Sequence, residues 1–253
     1  MTQTGYEGSV FINCPFDLEY QALFYAVIFA VQDCGFWPRC ALEINDSSTV
    51  RIEKIFQIIE SCKFGIHDIS RTETSGIEPL PRFNMPLELG LFLGAKRFGQ
   101  GKQAEKLCLI LDREPHRSQR FCSDIAGQDI QTHNREPGKA IRVVRDWLAG
   151  AVLDDGILPG GANIAERYDD FCKDLPIFCD KSSLKVEELI FVDFRKLVIE
   201  WLEINERFGN QVSRDGLKNL RSQNYHPRAG VLVIGLGSDP ATTGFSRWSA
   251  TVA

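Results

Sequence analysis

At 253 residues, 43% hydrophobic and 25% charged, the chain has the make-up of an ordinary globular protein able to bury a substantial core. A net charge of −5 argues against a protein built mainly to grip nucleic acid, since phosphate binding needs a basic surface. The eight cysteines are scattered singly without a CxxC pair, the four histidines lie far apart, and residues 1–9 carry no apolar signal segment. The longest apolar runs fall short of a membrane span. These features predict reduced thiols, no metal site, no membrane partner and a cytoplasmic location.

Taken in chain order, Val10–Asn13 is a short apolar run that ends in a Cys-Pro-Phe-Asp turn, and it predicts the first strand. Leu18–Cys34 has apolar residues on most faces and no Gly or Pro, which predicts a well-buried helix stopped by Gly35. Phe36–Leu42 predicts strand two. The polar loop Asn45–Ser48 is then expected to cap an amphipathic helix over Val50–Cys62, with Ile52, Ile55, Phe56, Ile58 and Ile59 as its buried stripe. Phe64–Ile69 predicts strand three, followed by a Ser/Thr/Gly/Pro-rich loop over Ser70–Arg82. Pro86 opens a strongly apolar helix that runs to about Arg97. Lys106–Leu111 reads as strand four, Asp129–Thr132 as strand five and Lys139–Leu148 as a closing helix. Strand and helix alternate, the pattern of a parallel sheet covered by helices on both faces, and so of an α/β domain over residues 8–150.

Beyond residue 150 the pattern changes. Asp154–Gly161 reads as a linker, and Ala162–Leu175 and Leu184–Phe208 as two helices of an appendage spanning about residues 160–208. Residues 209–253 show little periodicity and much Gly, Ser, Asn and Arg, the composition of a poorly ordered tail. Gly230–Gly237 looks like the start of a dinucleotide fingerprint, but the chain ends sixteen residues later, too soon for the crossover helix and second strand.

The segment with most chemical content is Pro81–Arg97. Between Arg82 and Lys96 its one charge is Glu88, and an isolated carboxylate in an apolar helix bears a desolvation cost unless something pairs with it or needs it. The helix starts after strand three, so its first turn lies at the carboxyl edge of the sheet, where open α/β sheets bind ligands. Glu88 is therefore either the chemical centre or a first-turn carboxylate complementing the helix dipole. Gly90 and Gly94, four apart, suggest close approach of a neighbouring element. Asp68, at the end of strand three, suits either a ribose hydroxyl or a turn cap. Asn13, Cys14 and Asp17 end strand one at the same edge. Cys14 reads as a buried thiol rather than a nucleophile, because no histidine sits near it in sequence. Arg51, Glu53 and Lys54 read as the solvated face of their helix.

Three stretches, FINCPFD, GIHDIS and RFNMPLELGLFLGAKR, together resemble the bacterial Toll/interleukin-1 receptor (TIR)-like domains of antiviral defence and the related nucleoside 2-deoxyribosyltransferases. The resemblance covers about residues 8–148. It implies a flavodoxin-like/TIR-like parallel sheet and a hydrolase that cleaves the N-glycosidic bond of NAD or a related nucleotide, activated by assembly. By position in the E-L-G element the family's glutamate falls on Glu88, and Arg82 and Asn84 match the preceding Arg-x-Asn. NAD is then substrate rather than cofactor, and the partners implied are copies of the chain or a defence-system protein. The sequence departs from the pattern where FIN-Cys-Pro replaces the usual FIS or FVS, and where the Asp and Gly ahead of the transferase helix are missing. A sensing or scaffolding module without turnover and a nucleoside deoxyribosyltransferase are the alternative readings.

One carboxylate suits this chemistry. Breaking a ribosyl C1–N bond passes through an oxocarbenium-like state that a carboxylate can stabilise or attack. Nicotinamide departs as a neutral base, so no general acid is required. Asn84, Asp68 or Ser70 would position the ribose, and Phe16 or Phe83 would stack on a base. The expected site is a pocket at the carboxyl edge lined by Asn13, Asp68, Ser70, Asn84 and Glu88.

Overall fold

A computed structural model of the chain describes residues 5–72, 83–151 and 157–209. Most of the Ser70–Arg82 loop, including Arg82, lies outside the described residues, as do residues 152–156 of the expected linker and all of the expected tail beyond Gly209.

Five strands, β1 (Ser9–Asn13), β2 (Trp37–Arg39), β3 (Phe64–Asp68), β4 (Leu107–Asp112) and β5 (Ile130–Thr132), form one parallel sheet in the order β2-β1-β3-β4-β5. The helices are α1 (Gln21–Asp33), α2 (Arg51–Ser61), α3 (Asn84–Phe98), α4 (Pro137–Ala151), α5 (Gly161–Lys181) and α6 (Phe191–Gly209). The chain is thus an α/β fold with helices on both faces of the sheet and two further helices at its C-terminal end. The pleat sorts the apolar residues by parity. Val10, Ile12, Phe64, Ile66, Leu109 and Leu111 share one core with α1 and α4, whereas Phe11 packs with α2 and Phe92 of α3, and Ile110 packs with Met85 and Leu89 of α3.

Several boundaries differ from the sequence expectation for identifiable reasons. β2 is three residues long and contains Pro38, which lacks an N–H and so suits the edge position this strand occupies. The polar loop does not cap α2. Asp46 instead accepts bonds from the Ser48 and Thr49 hydroxyls and the Ser48 N–H, closing the loop on itself, and Val50 occupies the cap position. Phe56, expected in the buried stripe, is 41% exposed. α3 begins at Asn84, because Pro86 in its first turn sacrifices no intrahelical bond. The span from Leu184 to Ile190, expected as helix, precedes α6. α5 continues through Pro176 to Lys181, and the buried Phe178 and Cys179 beyond the proline hold the last turns in place. A Cβ on Gly90 would meet nothing within 4 Å, and one on Gly94 only Phe98, so the glycine pair does not mark a close contact.

α1 explains the C-terminal helices. Every residue from Leu23 to Gln32 is buried, and a helix apolar on all sides needs cover beyond one sheet face. That cover comes from α4, α5 and α6, so α5 and α6 share the largest core of the protein with the sheet. Tyr25 stacks on Phe194 with ring centroids 3.8 Å apart, and Phe29 packs among Tyr168, Phe171 and Trp201. The Trp201 indole N–H donates to Asp174 at 3.0 Å, and Arg195 of α6 donates to the Pro38 carbonyl of the edge strand at 3.1 Å. All eight cysteines are free. Among the described residues no helix is long and apolar enough to cross a membrane.

Candidate functional site

In a sheet of this order the connections from β1 and β3 leave in opposite directions, and the carboxyl ends of those two strands frame a crevice. Asn13 and Asp68 stand at these ends. The Asn13 amide donates to the Met85 carbonyl at 2.9 Å, tying the first turn of α3 to the end of β1, and lies 3.1 Å from His67 Nδ1. Met85, Glu88, Leu89 and Phe92 make the buried face of α3, so Glu88 occupies a core-facing position in the second turn rather than the first.

Glu88 is 5% exposed and takes no hydrogen bond or ion pair from any described residue. Burial pushes its carboxyl up to about 7, against the pull of the Arg51 charge at the start of α2. Cys14 lies within the fields of Asp68, Glu88 and Asp17. Burial first and these carboxylates second hold its thiol well above the usual range, which removes it as a nucleophile.

Asp68 is treated differently. Its Oδ2 accepts the Tyr20 hydroxyl at 2.6 Å and faces His133 Nε2 at 2.9 Å, while Oδ1 accepts the Ser70 N–H at 2.8 Å. The Arg135 N–H donates to His133 Nδ1, leaving Nε2, beside Asp68, as the nitrogen that carries the proton. Burial would raise the Asp68 carboxyl, but these donors outweigh it and hold it below its ordinary value. Arg117 completes the edge by donating to Asp112 at 2.7 Å, to Thr72 at 3.2 Å and to the Ile69 carbonyl at 2.6 Å. Asp68 and Asp112 are therefore committed to holding loops, whereas Glu88 is a buried carboxylate with no such partner among the described residues.

Another unusual titratable group sits at the opposite edge. Lys106 is fully buried, donates to the Ile59 and Cys62 carbonyls that end α2, and is pulled down to about 8 by burial. Its bonds to the last carbonyls of a helix give it a structural role.

A cleft of about 470 Å³ opens at the carboxyl edge. Its walls are Pro15–Leu18 after β1, Ala41, Leu42, Ile44 and Asn45 after β2 together with Arg51, and Leu189–Phe191 ahead of and at the start of α6. Gln21, Phe24 and Tyr25 of α1 complete the lining. Phe16 is 37% exposed and meets Phe24 edge-on, and Phe24 stacks on Phe191. Asp17 receives two bonds from Arg71, at 2.7 and 3.2 Å, which clasps the start of the β3–α3 loop to the β1–α1 loop.

Of the residues expected to gather, Phe16 lines this cleft. Glu88 is not among its walls but feels the charge of the cleft residue Arg51. Asn13, Asp68 and Ser70 are buried in the scaffold beneath the edge, and Asn84 is exposed at the start of α3. None of Asn13, Asp68, Ser70, Asn84 and Glu88 is among the walls of this cleft, which come from α1, the β1–α1 and β2–α2 segments and the stretch leading into α6. Tyr20 and His133 gave no sequence signal, since each acts through a partner far along the chain, and Arg117 reaches Thr72 and Ile69 as well as the nearby Asp112. Arg51 carried one, as the first residue of a helix that starts at the ligand edge. Among the described residues no cluster of three His, Cys, Asp or Glu side chains could hold a metal ion. No family model, no curated protein and no solved structure matches the chain.

Proposed function

We propose that the protein is a TIR-like hydrolase that cleaves the N-glycosidic bond of NAD or a related nucleotide, with Glu88 as the catalytic carboxylate. The observation that carries this reading is Glu88 itself: 95% removed from solvent, bonded to no described residue, and raised to about 7 beside the crevice of a β2-β1-β3-β4-β5 sheet. A carboxylate bearing such a desolvation cost is poised to gain from a cation. The ribosyl oxocarbenium that forms as nicotinamide departs supplies one, and its charge is stabilised far more in this dry setting than in water. The same cation favours the ionised form of Glu88, so kcat/KM rises with pH as Glu88 loses its proton near 7. Asn13 acts through Met85, holding the first turn of α3 just ahead of Glu88. Assembly of copies as the activating event, in an antiviral role, belongs to the same proposal, and light scattering with and without NAD tests it.

One observation favours a second reading, a nucleotide-sensing module without turnover. The cleft at this edge is lined by Phe16, Arg51 and Phe191, and Glu88 is not among its wall residues. Incubating purified protein with NAD and a panel of nucleosides, then separating released base by chromatography, decides between them. Free nicotinamide supports the hydrolase, base release from nucleosides alone supports the transferase alternative, and ligand binding without any released base supports the sensor.

A further inference from the structure

The proposed reaction leaves unassigned what holds the rest of the ligand, and the cleft supplies residues for it. Its two charged wall residues are Asp17 and Arg51. Asp17 is held by Arg71. Arg51 is exposed, and among the described residues it makes no hydrogen bond or contact ion pair. The cleft therefore presents one available positive charge. The remaining surface is largely apolar at the rim: Phe16 at 37%, Leu42 at 43% and Ile190 at 61% exposure. A site combining a single guanidinium with half-exposed apolar walls matches a ligand that joins a flat ring to an anionic group.

The third wall is unexpected. Ile190 and Phe191 belong to the C-terminal part of the chain, and their position is fixed rather than incidental. Phe191 stacks on Phe24, three residues later Phe194 stacks on Tyr25, and Arg195 bonds to the Pro38 carbonyl of β2. The backbone that follows Ile190 is anchored on α1 and on β2, and the Ile190 carbonyl accepts the Phe194 N–H at 3.0 Å, which holds Ile190 at the rim.

We propose that this cleft is the subsite for the phosphorylated part of a nucleotide, with Arg51 receiving a phosphate and Ile190, from the C-terminal helical segment, packing on the ligand opposite the β1–α1 loop. The inference rests on the nucleotide reading of this edge and extends it: the C-terminal helices complete the ligand site, and a ligand with a phosphate is preferred to the bare nucleoside. Arg51 also links the two parts of the site, because its charge acts on Glu88.

Binding of ADP and of adenosine to the full chain carrying Glu88→Gln, measured by calorimetry, tests this without interference from turnover. ADP is expected to bind more tightly than adenosine. Adding Arg51→Ala should weaken ADP by about tenfold or more, the loss of a charge-assisted bond, and leave adenosine unchanged. Adding Ile190→Asp should weaken both ligands. Both positions are exposed, so melting temperatures should match the parent and report any misfolding. Equal affinity for ADP and adenosine, no binding of either, loss of both ligands equally with Arg51→Ala, or no effect of Ile190→Asp would each overturn the assignment. The hydrolase reading fails separately: ADP binding with the expected pattern, but no base released from NAD by the wild-type chain, leaves the subsite standing and removes the catalysis.

Discussion

The Asn13 side-chain amide donates to the Met85 carbonyl across 2.9 Å, and this bond joins the end of β1 to α3 one turn ahead of Glu88. Both partners are buried, so removing the donor leaves a carbonyl with reduced satisfaction and a small void. Asn13→Ala is expected to cost about 1–3 kcal/mol of stability. It should also lower kcat more than it raises KM, because α3 is then free to shift Glu88. Urea denaturation together with steady-state kinetics checks both halves; unchanged kcat would make the bond purely structural.

Gly65, in the middle of β3, has a tighter requirement. A Cβ there would lie 2.7 Å from His67 Nε2 and 2.8 Å from the Phe92 ring, both within the packed core. His67 cannot easily move aside, since Asn13 meets its Nδ1, and burial pushes its pKa down to about 3, keeping the ring neutral. Gly65→Ala should therefore destabilise by about 1–3 kcal/mol through overpacking, seen as a lower melting temperature with unchanged secondary structure.

The C-terminal helices are expected to be indispensable to folding. Phe194 is fully buried and stacks on Tyr25, so Phe194→Ala should cost about 3–5 kcal/mol. A chain cut after residue 151 would expose Phe24, Tyr25 and Phe29 together, and should aggregate or show the loose packing of a partly folded state. A cut chain that is monomeric and melts cooperatively at the parent temperature would show that the sheet domain stands alone.

Glu88 makes stability depend on pH in a definite sense. Its folded value near 7 lies above the ordinary glutamate value of about 4.5, so the folded state holds this proton more tightly than the unfolded one. Its relative contribution is most favourable below the unfolded value and is lost as pH rises through 7. By linkage the loss approaches about 3 kcal/mol. Glu88→Gln keeps the shape and stays neutral, so its melting temperature should exceed that of the wild type increasingly from pH 5 to pH 8. A gap that stays constant over that range would mean the carboxyl is not held near 7.

The residues that local pattern reveals are those whose burial repeats along one element. The alternation of strands and helices follows from apolar runs such as Phe64–Asp68 and the α2 stripe, and Glu88 stands out as the one charge of α3 ahead of Lys96. The Asp68 network escapes such reading, because Tyr20, Asp68 and His133 are far apart in sequence and meet through the parallel order of the sheet. The role of α5 and α6 was legible in principle. α1 has apolar residues on most faces, and such a helix must be enclosed by a further layer, which the aromatic residues of α5 and α6 provide. Helix starts were less legible: Val50 rather than the polar loop precedes α2, because Asp46 spends its oxygens on Ser48 and Thr49.

The central claim, that Glu88 is the catalytic carboxylate, is tested most directly by comparing NAD turnover by the wild-type chain and by Glu88→Gln at pH 8, with melting temperatures taken on the same samples. Base release by the wild type, a loss on the order of 10²-fold or more in the variant, and a melting temperature no lower than the wild type are expected. A variant that melts normally and releases nicotinamide at the wild-type rate would contradict it.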